Sequence, residues 1–345
     1  MRAAYRRPTF KKEQNEMSVK ILITIVFIIL GVIFTENAFG QIELGSNSFV
    51  VGRNRFITVV DGDKREYFVH VPRSYNRSQK IPVVFMLHGT SGNGAKFYAI
   101  SGWKELGETE NILTVFPSSW KHCIIELGIQ KTTTKWNIYP GSFEYCSGEQ
   151  PKDDIKFLNQ VIDELNSKFN VDRKRIYFAG FSNGGQMTAR IGVEMSDRVA
   201  AVVSASGVSF GDTIRQPKRL LPNLIQVGTN DRIFVPLAFG RNPAPMDFGQ
   251  LSTVSPFLNN VLNYYRQIYR LNPTYQAAGD RTSMIWLDDY GTSGNQENVL
   301  RFVLIKDMDH IYPNGVNFRL SGPRMNWDWM KQFELPDPAR DNQRQ

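Results

Sequence analysis

The sequence has few of the residues from which metal centres are built. It holds two cysteines and four histidines among 345 residues, and they do not fall at the short paired spacings of zinc ligands. The net charge is +8, but the basic residues are scattered and do not alternate with stacking aromatic residues. The sequence therefore predicts no metal site, no cofactor and no nucleic-acid partner.

Long hydrophobic runs are also scarce. Residues 21–34 form one apolar stretch, shorter than the roughly 20 residues that span a bilayer. Lys20 precedes it and the small-residue site at 38–40 follows, which is the pattern of a secretory signal peptide over residues 1–40. Met17 begins a more compact version of this signal and is a candidate for the true start. We expect a secreted or periplasmic protein without a stable membrane partner, the alternative being an anchor formed by the uncleaved run.

The sequence lacks internal repeats, low-complexity linkers and an appended binding module. Residues 41–345 are enough for one domain with a large core. Short apolar runs alternate with stretches of helical periodicity, which favours an α/β fold with a mainly parallel sheet covered by helices on both faces. The predicted strands lie at 67–71, 82–87, 112–116, 175–179, 199–205, 224–227 and 299–305, and the predicted helices at 153–169, 183–194, 254–269 and 318–333.

Both cysteines lie in a polar, aromatic-rich segment, about 118–150, which we expect to be irregular. We call it the rim segment. Export permits a disulfide between Cys123 and Cys146, which would stabilise the fold by about 3 kcal/mol in the chain-entropy model. Two unrelated buried thiols are the alternative.

One motif suggests a chemistry. Residues 180–184 (GFSNG) follow an apolar predicted strand and open a predicted helix. In that strand–turn–helix setting, G-x-S-x-G holds a nucleophilic serine on a strained turn. We therefore interpret Ser182 as a nucleophile, in preference to the capping serine of an ordinary turn.

A serine nucleophile needs a base and an acid, which follow it in the order acid, then histidine. His310 is the only histidine C-terminal to Ser182, and it comes just after the last predicted strand. Asp231 follows the strand at 224–227 and is the predicted acid, which would hold the imidazole in the correct tautomer. The competing carboxylates are Asp212, Asp247, Asp288 and Asp289, while Asp307 and Asp309 lie too near His310 in sequence to be preferred.

The oxyanion of an acyl-transfer reaction needs two backbone donors. One is predicted at Asn183, directly after the nucleophile. The other should come from the loop after the strand that ends at His88, with Thr90 as the first choice and Ser91 as the alternative. We interpret His88 itself as a brace for this loop.

These blocks resemble the secreted esterases that group polyhydroxybutyrate depolymerases with feruloyl and acetylxylan esterases. The resemblance covers roughly residues 67–313. It rests on 87–89 (LHG), 180–187 (GFSNGGQM), 228–231 (GTND) with 235–236 (VP), 310 with 312–315 (YPNG), 136–137 (WN) and 148–151 (GEQP). The resemblance implies an α/β-hydrolase fold and ester hydrolysis through an acyl-enzyme, without a metal.

The sequence departs from the family pattern at positions where many members carry cysteine. Thr90 follows the oxyanion His-Gly, and Gly291-Thr292-Ser293-Gly294 precedes the last strand. These differences leave the proposed catalytic residues intact but leave the substrate open. Plant cell-wall feruloyl or acetyl esters and hydroxyalkanoate esters, from polysaccharides or polyesters, are the expected substrates.

Aromatic side chains of the rim segment could stack on a sugar or an aromatic acyl group. The candidate substrate contacts are Trp120, Trp136 and Tyr312. For both tryptophans, the alternative is a role as core anchors of a long loop. Two other functions remain open, a serine peptidase of the same fold and a non-catalytic hydrolase-like binding protein.

Overall fold

The computed structural model describes residues 49–139, 141–208, 215–240, 243–292 and 298–336. Thirteen strands fall within these ranges. They are β1 (Gly52–Val60), β2 (Asp63–Val71), β3 (Ile81–Leu87), β4 (Leu113–Pro117), β5 (Lys121–Glu126), β6 (Ile129–Thr134), β7 (Glu144–Tyr145), β8 (Val171–Phe181), β9 (Ala201–Ala205), β10 (Asn223–Gly228), β11 (Leu271–Gly279), β12 (Met284–Gly291) and β13 (Val299–Ile305).

Eight helices lie within the same ranges and connect many of these strands. They are α1 (Gly94–Ile100), α2 (Trp103–Glu110), α3 (Asp154–Lys168), α4 (Asn183–Glu194), α5 (Phe234–Phe239), α6 (Phe248–Val254), α7 (Pro256–Tyr269) and α8 (Gly322–Met330).

Ten strands form one sheet in the order β1-β2-β4-β3-β8-β9-β10-β13-β12-β11. The six central strands, from β4 to β13, pair in parallel, and two antiparallel strands extend the sheet at each edge. Helices pack apolar faces on both sides of this sheet, where two clusters of buried hydrophobic residues lie. The prediction of an α/β fold with a mainly parallel sheet is confirmed.

The sheet edges are less visible in the sequence. β1 alternates buried and exposed side chains, and most residues of β11 are exposed. Neither strand shows the continuous apolar run that marks the central strands. They form because β2 and β12 supply antiparallel partners.

Two predicted helices differ from the structure at their first residues. The helix expected at 318–333 spans Gly322–Met330, because Ser321 caps it by accepting a hydrogen bond from the Arg324 amide. The helix expected at 254–269 begins at Pro256 after the cap residue Ser255. Proline is favourable in a first helical turn, which sets both boundaries.

The rim segment is more regular than expected. β5 pairs in antiparallel fashion with β6 and β7 to form a small second sheet. Cys123 on β5 and Cys146, directly after β7, form the predicted disulfide. The expectation of an irregular segment was wrong. β5 and β6 pair through backbone hydrogen bonds, and the local sequence gives no sign of this pairing.

The predicted signal peptide, residues 1–40, lies outside the described residues and stays a prediction. Among the helices that the structure describes, none combines the length and the apolar character needed to cross a membrane.

Candidate active site

Ser182 lies on the tight turn between β8 and α4. Its backbone is strained, with φ +53° and ψ −121°, a conformation that L-residues rarely adopt. The turn is possible because Gly180 has no side chain: a Cβ there would lie 2.1 Å from the carbonyl oxygen of Gly184. The Ser182 amide donates to the carbonyl of Ala205 on β9 at 2.8 Å, which fixes the turn on the sheet.

The structure brings Ser182, His310 and Asp231 into one hydrogen-bonded series. Ser182 Oγ lies 3.0 Å from His310 Nε2, and His310 Nδ1 lies 3.0 Å from both carboxylate oxygens of Asp231. A carboxylate only accepts hydrogen bonds, so Nδ1 carries the proton and Nε2 is left to accept from the serine hydroxyl. This tautomer is the one that a general base requires.

Asp231 is held as a carboxylate by its surroundings. Its side chain is fully buried, and burial alone would raise its pKa. The hydrogen bonds from His310 and from the Phe234 and Ile233 amides outweigh that effect and lower the pKa below its ordinary value. The group therefore stays charged beside the imidazole.

The two loops that carry Asp231 and His310 follow β10 and β13, which are adjacent parallel strands. The carboxyl ends of parallel neighbours meet at the same edge of the sheet. β8 lies two strands from β10 and ends at this edge as well. Phe181, the last residue of β8, packs against the imidazole with ring centroids 5.0 Å apart. The topology of the sheet thus gathers the three side chains.

The loop after β3 approaches Ser182 from the other side. A Cβ built on Gly89 would lie 3.1 Å from Ser182 Cβ. The amide of Ser91 already donates to the carbonyl of Thr134 at 3.0 Å, which favours Thr90 over Ser91 as the oxyanion donor. Asn183 is the first residue of α4, a position whose N–H has no partner within its own helix.

His88 braces this loop from a fully buried position. Its Nε2 accepts from the Ser119 amide at 3.0 Å, so Nδ1 carries the proton and donates to the Gly89 carbonyl at 2.7 Å. Burial lowers the pKa of His88 to about 4, against the opposing effect of the Gly89 hydrogen bond. A neutral histidine on two backbone partners is a structural support for the loop.

Two of the three candidate substrate contacts are buried. Trp136 is fully buried: its Nε1 donates to the His88 carbonyl at 2.9 Å, and its amide donates to Asn183 Oδ1 at 2.6 Å. Tyr312 is buried with its hydroxyl bonded to Trp103 Nε1 at 2.7 Å and Asn326 Nδ2 at 3.1 Å. Both rings pack in the interior of the protein, which agrees with the core-anchor alternative for Trp136.

Trp120, the third candidate, is half-buried. The ammonium of Lys152 lies 5.0 Å from the centroid of that ring, a cation–π distance. The structure leaves Trp120 as a prediction of a substrate contact.

Sequence reasoning missed the buried ion pair that contacts the rim segment at its start and near its middle. Arg65 and Asp154 are bonded at 2.6 Å, and both side chains are buried. Arg65 also donates to the Ser118 carbonyl, and Asp154 accepts from the Asn137 amide at 2.8 Å. The partners lie 89 positions apart, so no local pattern could identify the pair.

The geometry can be set beside known proteins. A family model described as Esterase matches residues 59–297. The chain belongs to the Esterase family. The strained Ser182 turn lies inside the matched region, and His310 lies just beyond it.

Curated relatives match this chain at low identity. A bifunctional acetylxylan esterase/xylanase from Neocallimastix patriciarum is 27% identical over 48% of this chain and 21% of its own length. Feruloyl esterase B from Piromyces equi is 23% identical over 79% of this chain and 46% of its own length. The chain thus spans less than half of the length of these relatives.

A solved S-formylglutathione hydrolase from Agrobacterium tumefaciens has a similar structure, with a TM-score of 0.52. The match covers 83% of this chain and 97% of that one at 12% identity. At such low identity the likeness concerns the fold, which is the one that the sequence predicts.

Proposed function

We propose that this chain is a secreted serine carboxylic ester hydrolase that works through an acyl-enzyme. The observation that carries the proposal is the series Ser182 Oγ, His310 and Asp231, linked by hydrogen bonds of 3.0 Å. Membership of the Esterase family agrees with it. The disulfide in the rim segment is consistent with an oxidising compartment outside the cytoplasm.

In the proposed reaction, Ser182 Oγ attacks the ester carbonyl carbon while its proton passes to His310 Nε2. Asp231 stabilises the imidazolium that results. The tetrahedral oxyanion is held by the Thr90 and Asn183 amides. When this intermediate collapses, the ester C–O bond breaks, the alcohol takes the proton from His310, and the acyl group stays on the serine.

Hydrolysis of the acyl-enzyme then follows the same steps in reverse, with water in the place of the alcohol. His310 takes a proton from the water as its oxygen attacks the acyl carbon. The second tetrahedral intermediate expels Ser182 Oγ, which recovers its proton from His310. The acid product leaves and the enzyme returns to its starting state.

We propose plant cell-wall feruloyl or acetyl esters as substrates, with hydroxyalkanoate esters as the second choice. Relatives named as acetylxylan and feruloyl esterases favour the first choice. Trp120, half-buried in the rim segment, is the candidate contact for such a substrate.

A substrate panel tests this proposal. The purified protein is assayed on methyl ferulate, acetylated xylan, short p-nitrophenyl esters, hydroxybutyrate oligomers and a matched peptide amide, with Ser182→Ala as the control. We expect ester turnover that exceeds amide turnover and that falls by about 10⁴-fold or more in Ser182→Ala. Near-full activity in that variant would show that Ser182 is not the nucleophile.

A further inference from the structure

One surface carboxylate contacts the backbone beside both His310 and Asp231. Asp309 Oδ1 accepts from the His310 amide at 2.6 Å and from the Arg232 amide at 3.2 Å. Its Oδ2 accepts from Arg232 Nη1 at 2.9 Å. Because Asp309 precedes His310 and Arg232 follows Asp231, one side chain joins the residues adjacent to the base and to the acid.

The two loops have no covalent link near the site, since His310 and Asp231 are 79 positions apart. On their inner side, the Asn230 amide donates to the Met308 carbonyl at 3.0 Å. Gly228 permits this contact, because a Cβ there would lie 1.8 Å from the same carbonyl oxygen. The Asp309 carboxylate supplies a second link between the loops, through the Arg232 and His310 amides.

The ion pair with Arg232 does not explain this arrangement. The Arg232 and Asp309 side chains are 69% and 41% exposed, and such pairs contribute little to stability because water and salt screen them. The hydrogen bonds from two backbone amides to one charged oxygen are stronger and more directional. They determine where the His310 backbone lies relative to Asp231.

We propose that Asp309 is a positioning residue for ester hydrolysis that acts through His310. Resting on the function proposed above, this assigns Asp309 the task of holding the His310 backbone so that Nδ1 faces Asp231 and Nε2 faces Ser182. Small displacements of a catalytic group lower the rate strongly, because the reacting atoms must be aligned. Loss of the carboxylate therefore lowers kcat and leaves substrate binding largely intact.

Three variants separate the contacts. Asp309→Ala removes the acceptor of both amides, Asp309→Asn keeps one neutral carbonyl acceptor, and Arg232→Ala removes only the guanidinium. We expect kcat to fall about tenfold in Asp309→Ala and only about threefold in each of the other two, with KM little changed. Equal losses in all three variants would contradict the role of the amide contacts.

Asp247 provides a matched control. Its carboxylate accepts from the Gly249 and Gln250 amides and pairs with Arg281, with side-chain exposures of 39% and 66%. Asp247→Ala thus removes the same kind of contacts from a residue that does not contact His310, Asp231 or Ser182. We expect its kcat to match wild type, and an equal loss of kcat in this variant would overturn the proposal.

A spectroscopic signature distinguishes positioning from general destabilisation. The far-downfield proton resonance of His310 Nδ1–H, bonded to Asp231, should broaden or shift in Asp309→Ala and persist in Asp247→Ala. An unchanged resonance in Asp309→Ala would contradict the proposal even if activity fell.

A double-variant cycle completes the test. In an Asp231→Ala background, Asp309→Ala should lower kcat no further, because both residues act on the same imidazole. A full, independent loss in that background would contradict the proposal. If Ser182→Ala abolishes turnover while Asp309→Ala behaves like wild type, this inference fails and the proposed function stands; if Ser182→Ala stays active, the proposed function itself fails.

Discussion

The loops that carry Ser182, Asp231 and His310 and the rim segment lie on the same site but are positioned in different ways. Each of these three loops directly follows a central parallel strand, so the sheet order places it. The rim segment depends on individual long-range contacts, namely the Trp136 bond to the His88 carbonyl, the Arg65–Asp154 pair and the Ser91 amide bond to the Thr134 carbonyl. One part of the candidate site is thus positioned by the topology of the sheet, and the other by specific long-range contacts.

The largest effect on kcat is expected in the loops that carry Ser182, Asp231 and His310. Asp231→Asn keeps the side-chain shape but no longer fixes the Nδ1–H tautomer of His310, and kcat should fall about 10³- to 10⁴-fold. The matched control is Asp289→Asn, another fully buried carboxylate, paired with Arg266 at 2.8 Å. Steady-state ester hydrolysis checks both, and a comparable loss in Asp289→Asn would mean that the acid is wrongly assigned.

A smaller effect is expected where the oxyanion loop meets the rim segment. His88 is neutral and buried, with its pKa lowered to about 4 from an ordinary 6.5. The unfolded chain therefore binds the extra proton first as the pH falls, so the stability from His88 is present above pH 6.5 and is lost towards pH 4. The loss amounts to about 3 kcal/mol of unfolding free energy.

Urea unfolding of wild type and His88→Gln across this pH range measures that contribution. Other groups titrate in both proteins, so the difference between their slopes is the relevant quantity. The wild type should lose stability more steeply with acid. Parallel curves would contradict a neutral, buried His88.

The smallest effect is expected from a single rim contact. Trp136→Phe removes the Nε1 donor to the His88 carbonyl and keeps an aromatic ring, so kcat should fall about tenfold as the oxyanion loop loosens. Trp327→Phe is the control, since its Nε1 donates to Glu110, the last residue of α2, and makes no hydrogen bond to the His88 loop. Steady-state kinetics of both variants check this prediction. An unchanged kcat in Trp136→Phe would show that this contact of the rim segment does not support catalysis.

The same comparison explains what could be predicted from the sequence. Ser182, Asp231 and His310 follow apolar runs whose order indicates parallel strands, so local patterns were enough to select the three residues that the structure brings together. The burial of Trp136 and Tyr312 is not visible in the sequence, because an aromatic residue in a polar segment gives the same pattern whether it packs inward or faces a ligand. The Asp309 contacts and the Arg65–Asp154 pair join distant positions, which only the folded chain reveals.

The most direct measurement is the reaction of the protein with a fluorophosphonate, followed by peptide mapping. Such a probe phosphonylates a serine that a neighbouring imidazole activates. We expect one label per molecule, located on Ser182, with parallel loss of ester turnover. A label on another residue, or turnover that persists after Ser182 is fully labelled, would contradict this expectation.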